Sequence, residues 1–466
     1  MAAALAARRH GLQVIVIDDQ PAPGGQIWRS VEMAARRDNI LGPAYVEGRA
    51  VAEAFRASGV IYQPGAQLWQ VELGFRAFVS RDRQAQVIEA EAVILATGAQ
   101  ERPVPFPGWT LPGVLTVGAA QILLKNAGQI PTGPVWIAGS GPLPLLYTVQ
   151  LLRAGGQVAG YLDTTPAGQW RAALPHLPGA LRAWGDLVKG LGWTATLRTS
   201  KTPVIRGVIE IEALGKERIE ALRYRTKDGA MATVEAKTLL VHEGVVPSLH
   251  AALSLDCTVA WHPAQDCYAP VVDRWGESSQ VNLFIAGDGA GIAGAKAAQL
   301  RGELAALRVA VKLGRTSENA AALAARPIRR KLGRELAGRP FLDALFKPRP
   351  QIFAPTDETI VCRCEEITAG EIRAVAKIGQ PGSNQIKAAT RAGMGPCQGR
   401  QCGYTVTRIL GAAQNRPPSE VGFFHIRPPL KPVTLGELAS LDQSVTAAPK
   451  SEPQDRGVTV GQGQAE

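Results

Sequence analysis

The chain has 466 residues, 46% of them hydrophobic and 20% charged, with a mean hydropathy of zero. That composition describes a globular protein of two or three domains with a sizeable core, and no apolar run approaches the length of a membrane span. The net charge of +11 suits nucleic acid, anionic lipid or an acidic protein, but no nucleic-acid motif accompanies it, so nucleic acid is not an expected partner.

Met1 to His10 is a helix by propensity, stopped by Gly11. No leader sequence is expected from it. Leu12 to Ile17 is an apolar, β-branched strand ending in Asp18 and Asp19, followed by Gly24, Gly25 and Gln26. Helix, strand and acidic residue form the second half of a dinucleotide-binding βαβ unit. The first strand and its G-x-G-x-x-G do not precede the helix, which suggests a sequence that starts inside the motif. Asp18, or failing that Asp19, is expected to accept hydrogen bonds from an adenosine ribose; two turn aspartates are the alternative.

A second apolar strand runs from Ala92 to the turn Thr97-Gly98. A third, from Val135, enters the turn Gly139-Ser140-Gly141, and the next strand ends in Asp163. Helix N-termini bind phosphate, so the 139–144 loop is a candidate site for a second nucleotide, NAD or another. Pro144 stands where the fingerprint has its third glycine, and a purely structural Rossmann unit is the alternative. Asp163 favours NAD over NADP, because it repels a 2′-phosphate.

Residues 164–200 read as a helical insertion whose tryptophans, Trp170, Trp184 and Trp193, belong to the core. Strands follow to His242, and Glu243 to Ser248 lead back to the first domain. The strand from Gln280 ends in Gly287-Asp288 before a small-residue helix. That aspartate is placed to hold a ribityl or phosphate-side oxygen, with helix capping as the bland alternative. Helices fill 303–345, including the basic stretch Arg326 to Arg334, which is either a solvated face or a docking surface for an acidic partner. A stiff Pro-containing linker, 346–357, follows.

Four of the six cysteines then fall as C-x-C at Cys362 and Cys364 and C-x₄-C at Cys397 and Cys402. Four soft thiolates suit zinc or an iron–sulfur cluster. Glycines around Cys397 and the cations Arg363, Arg391 and Arg400 favour a negatively charged [2Fe–2S] cluster, with zinc as the alternative. Cys257 and Cys267 are expected as buried thiols, and the metal-ligand spacing argues for a reducing, cytoplasmic setting.

Cys362-Arg-Cys-Glu365 and Gly393-Met-Gly-Pro-Cys-Gln-Gly-Arg-Gln-Cys402 resemble the bacterioferritin-associated-ferredoxin (BFD-like) [2Fe–2S] domain. The version fused to the flavoprotein subunit of opine oxidases and hydrogen cyanide synthase is the nearest resemblance, and Arg427 to Thr434 extends it. The resemblance covers nearly the whole chain. It implies an α/β fold with two Rossmann-like domains of the glutathione-reductase, pyridine-nucleotide-disulfide-oxidoreductase type, plus the small helical cluster domain. The expected divisions are 1–112 and 246–345 for the FAD domain, 113–245 for the second Rossmann-like domain, and 358–415 for the cluster domain. An extension at 416–441 and a disordered tail at 442–466 complete it. In this family Gly24-Gly25-Gln26 passes close to the flavin, and Thr97-Gly98 marks the crossover between domains.

The resemblance further implies FAD and a [2Fe–2S] cluster as cofactors and a hetero-oligomer. The expected partners are an amino-acid-oxidase-like flavoprotein subunit that oxidises a C–N bond of an amino acid or opine, a small ferredoxin-like protein, and a respiratory acceptor that brings the complex to the inner membrane. Two other readings remain open. One is a stand-alone NAD(P)H-dependent flavin oxidoreductase; the other is a non-catalytic iron–sulfur protein on a degenerate flavin fold.

Overall fold

The structure is a computed structural model and describes residues 1–34 and 37–441; the tail expected to be disordered lies outside the described residues. The chain opens with a helix, Ala2–Arg9, that ends at Gly11 with φ 71°. The strand Ile15–Asp18 runs parallel to Ile61–Pro64. Val93–Leu95 runs parallel to Leu283–Ile285, and the helix Ala295–Lys312 follows. The two helices cross where Gly302 faces Ala3, and Ala6, Ala7, Phe284, Ala305, Ala306 and Ala310 close the core between them. Small residues allow this approach, which brings the two ends of the flavin-type unit together. Among the described residues the two strand pairs share no ladder, and Ile15 and Ile61 are exposed.

The second unit is a five-stranded parallel sheet in the order Val204–Arg206, Val158–Asp163, Val135–Ser140, Leu239–Glu243, Val114–Thr116. Its central strand is buried along its whole length, as a parallel strand covered on both faces must be. The helices Val117–Ala127 and Pro142–Arg153 and the antiparallel sheet of Val208–Leu214, Ala221–Thr226 and Met231–Glu235 accompany it. The two connections between the units lie side by side, with Ala99–Glu101 antiparallel to Val245–Pro247.

One expectation needs correction. The insertion is helical, over Gln169–Ala173, Leu177–Arg182 and Trp184–Thr199, but Trp170 and Trp184 are 56% and 68% exposed and do not form a core. The insertion packs through Ala173, Ala180 and Leu197, so its large side chains are left facing outward. The 346–357 segment is anchored to the second unit. Ile352 is buried in the core of the second unit, and Arg349 pairs with Glu243.

The cysteine module has a hairpin, Ile360–Cys362 with Ile367–Thr368, and three helices, Ala369–Ala376, Ser383–Thr390 and Gly403–Gln414. Thr368 and Glu371 form a capping box. Ile372, Ile386, Val406 and Leu410 share one continuous core with Leu95, Leu255, Leu283 and Ile285 of the flavin-type unit. Past the module, Leu430 N–H donates to Trp69 O at 2.6 Å and Gln67 Nε2 to Pro432 O at 3.0 Å, which folds the extension back onto the first unit. Cys257 and Cys267 are buried thiols, as expected.

Candidate functional site

The flavin-side residues come from the ends of strands. Asp18 closes Ile15–Asp18; its Oδ1 accepts from Gln20 N–H at 3.0 Å and its Oδ2 from the Tyr62 hydroxyl at 3.3 Å. Burial holds its carboxyl above the usual range, against the pull of those two bonds. Asp19 is engaged elsewhere, by Lys431 and by Gln20 Nε2. Burial pushes its carboxyl up, but Lys431 and Gln20 outweigh it and leave it lowered. Gly24 and Gly25 have φ of 129° and 58°, and a Cβ on Gly24 would collide with Trp28 O. Only glycine lets the backbone turn back on itself there. Gln26 is exposed, and its carbonyl accepts from Lys125 Nζ at 3.0 Å.

Thr97 and Gly98 lie against the second flavin-side turn. A Cβ on Gly289 would stand 3.4 Å from Thr97 Oγ1 and 3.5 Å from Gly98 O. Ser248 N–H donates to Gly98 O at 2.9 Å, and Thr97 Oγ1 donates to Ser248 O at 3.2 Å. Asp288 Oδ1 accepts from Ala293 N–H at 2.8 Å and Gly294 N–H at 2.9 Å, just before the helix Ala295–Lys312. Arg301 secures the turn through Gly287 O and Gly291 O at 3.1 and 2.6 Å. The positive end of that helix, the glycine turns and a carboxylate at a strand end fit FAD.

At the second loop, Gly139 lies against His242, and Gly141, with φ 106°, caps the helix Pro142–Arg153. Asp163 Oδ1 accepts from Thr165 N–H at 3.0 Å, and Ser140 Oγ bonds Thr165 Oγ1 at 3.0 Å. The turn after Asp163 is thus tied across the mouth of the loop. Beside it, Glu101 Oε1 meets His242 Nδ1 at 2.7 Å while Oε2 accepts Gly118 N–H at 2.9 Å.

The four module cysteines stand as two couples. Cys402 donates toward Cys362, whose thiol is thereby drawn down to about 6, against opposing burial and with help from the N–H groups of Gly393, Glu365 and Cys364. Cys402 is pushed well up, by that same bond, by burial and by the other three thiols. Cys364 faces Cys397; burial raises it, and the Cys397 N–H opposes the rise. Gly395 allows the loop to close, because a Cβ there would overlap Cys364 Cβ. Among the described residues no three His, Cys, Asp or Glu side chains surround a single point. Two couples, with main-chain N–H groups aimed at sulfur, fit a cluster that shares four thiolates between two irons.

The flavin-type crossover and this loop touch directly. Gln100 Nε2 donates to Arg400 O at 2.9 Å, Trp109 Nε1 to Ile360 O at 2.6 Å, and His250 Nε2 to Gln398 O at 2.9 Å. Arg363 lies over the Trp109 ring at 5.9 Å. Gln100, His250, Glu101 and His242 were not singled out from the sequence. Their partners lie 141 to 300 residues away, so no local spacing marks them. Trp109, eleven residues past the Gly98 turn, was likewise not singled out, and its partner lies 251 residues away.

Residues 360–412 match the family of BFD-like [2Fe-2S] binding domains, and residues 1–167 match the pyridine nucleotide-disulphide oxidoreductases. The opine oxidase A-subunit of Rhizobium meliloti is 42% identical over 458 residues, 96% of this chain and 86% of that protein. Hydrogen cyanide synthase subunit HcnB of Pseudomonas protegens is 30% identical over 466 residues, 96% of each chain. The crystal structure of L-proline dehydrogenase from P. horikoshii shares the fold, with a TM-score of 0.67 at 20% identity over 94% of this chain and 76% of that one. Likeness that runs through both modules and across their junction makes the chain a member of the opine oxidase A-subunit family, FAD-dependent oxidoreductases with a BFD-like [2Fe–2S] domain.

Proposed function

We propose that the chain is the electron-transferring subunit of a hetero-oligomeric amino-acid or opine dehydrogenase. A partner flavoprotein subunit oxidises a C–N bond, and its electrons cross this chain toward a respiratory acceptor. A small ferredoxin-like protein is a further member of the complex. The observation that carries the reading is the bond from Gln100 to Arg400 O. Gln100 lies two residues past the Gly98 turn, and Arg400 two residues before Cys402, so the two redox sites meet at one junction. When bound, FAD takes electrons in pairs and the [2Fe–2S] cluster passes them singly.

In this reading Asp18 holds the adenosine ribose and Asp19, tied to Lys431, fastens the extension. Gly24, Gly25 and Gln26 and the Thr97-Gly98 turn lie along the flavin. Gly287 and Asp288 hold its ribityl and phosphate side. Cys362, Cys364, Cys397 and Cys402 hold the cluster. The intact sheet and Gly139-Ser140-Gly141 turn support a second nucleotide at the 139–144 loop, bound once Thr165 releases Ser140 and Asp163.

The test is anaerobic electron paramagnetic resonance of the chain alone and with an oxidase-like partner. The expected result is a cluster signal on adding the amine only when both proteins are present. Full reduction of the isolated chain by NADH would instead favour the stand-alone reductase.

A further inference from the structure

The two thiol couples differ in their access to solvent. Cys362 and Cys402 are 1% and 0% exposed. Cys364 is exposed and Cys397 half-buried. An electron that leaves the module therefore has its shortest way out past Cys364 and Cys397. A hollow of ≈ 390 Å³ opens on the module, lined by Asn384, Lys387, Ala388, Met394, His425 and Arg427. Met394 links the hollow to the couple, since the next residue, Gly395, lies against Cys364.

Two cations, Lys387 and Arg427, line the hollow. Lys387 Nζ reaches His425 O at 3.5 Å. Burial and then the Arg427 charge press its ammonium below the ordinary value, against an opposing pull from Cys402. Among the described residues no carboxylate pairs with Lys387, Arg427 or Arg363. Met394, 45% exposed, gives these cations an apolar, polarisable centre.

We propose that this hollow, joined to Cys364 through Met394 and Gly395, is the docking surface for an acidic one-electron carrier protein. Its carboxylates lie against Lys387 and Arg427, and its apolar centre meets Met394. The proposal rests on the reading that electrons leave through the cysteine module. Electron-transfer encounters are small and transient, and opposite charge supplies their orientation and rate. A flat anionic bilayer has the same charge but does not enter a concave site to reach the half-buried Lys387, which favours a protein.

The test uses the full-length holo-protein, reduced chemically and freed of reductant. It is mixed in stopped flow with native basic cytochrome c and with succinylated cytochrome c, whose lysines carry carboxylates. In each reaction one electron moves to ferric haem and no proton is transferred. The succinylated form is expected to react roughly tenfold faster at low salt, with the advantage lost at high salt. The double variant K387E/R427E is expected to lose that roughly tenfold advantage while its cluster absorption and paramagnetic signal stay unchanged. Equal rates, faster reaction of the basic form, or an unaltered double variant would overturn the proposal. So would binding to phosphatidylglycerol vesicles that the double variant abolishes without any preference for the acidic protein. Because reduction is chemical, the outcome is independent of the amine. Failure of the electron-transfer reading shows separately, as a cluster left oxidised by amine plus partner.

Discussion

Arg349 Nε donates to Glu243 Oε1 at 2.7 Å, and the two side chains are only 4% and 2% exposed. Arg349 also bonds Ile209 O, and Arg102 Nε holds the Glu243 carbonyl at 3.1 Å. The pair fastens the segment before the cysteine module to the end of the Leu239–Glu243 strand. Arg349→Met strands a buried carboxylate, and the expected cost is about 3–5 kcal/mol in urea unfolding. Replacing both members with apolar residues of similar volume is expected to restore most of that loss. A double variant as unstable as the single one would show that the charge is not the cause.

The four module cysteines are expected to behave differently from Cys257 and Cys267. Cys402→Ser or Cys362→Ser should reduce bound iron to near zero and remove the cluster absorption, with flavin absorption retained. Cys257→Ser should keep the iron, because burial raises that thiol and the groups acting on it are Ser278 and Asp256, not the module cysteines. Iron analysis beside a visible spectrum distinguishes these outcomes.

Lys125 gives stability a pH dependence of known sign. It is 6% exposed, and burial, then Arg29, holds it at about 7 rather than 10.5. Between those two values the folded chain binds fewer protons than the unfolded one, so this group's contribution rises as pH climbs from about 7 toward 10.5. Below about 7 its unfavourable burial is fully present. Lys125→Met is therefore expected to raise the melting temperature most at pH 6, with the gain shrinking in alkali. A gain that is equal at all pH values would refute the assignment.

Trp184, 68% exposed, and Trp69, 4% exposed with its Nε1 on Ser80 Oγ at 3.1 Å, make a contrasting pair. Trp184→Ser is expected to stay within about 0.5 kcal/mol of the parent. Trp69→Ala is expected to cost about 3–5 kcal/mol, both read from denaturant midpoints.

That contrast also marks where sequence reasoning stops. The C-x-C and C-x₄-C spacing, the Gly287-Asp288 turn and the small-residue helix after it are local, and the fold and cofactors followed from them. The fate of Trp170 and Trp184 was not local; it depends on which side of the insertion meets the rest of the chain. Asp18 was preferred to Asp19 from the sequence, with no local feature to exclude the second. What separates them is Lys431, 412 residues further on. The same holds for Glu101 with His242 and for Arg349 with Glu243, whose pairing exists only once the second sheet has formed.

At the junction of the two modules, Gln100, Trp109 and His250 all donate to main-chain oxygens, of Arg400, Ile360 and Gln398. The flavin-type unit thus holds the cysteine loop by its backbone path. Side chains at 360 and 398 can be exchanged without removing these three bonds, provided the loop keeps its course. At this joint the alignment of the two modules is set by the course of the backbone, beside the apolar core they share.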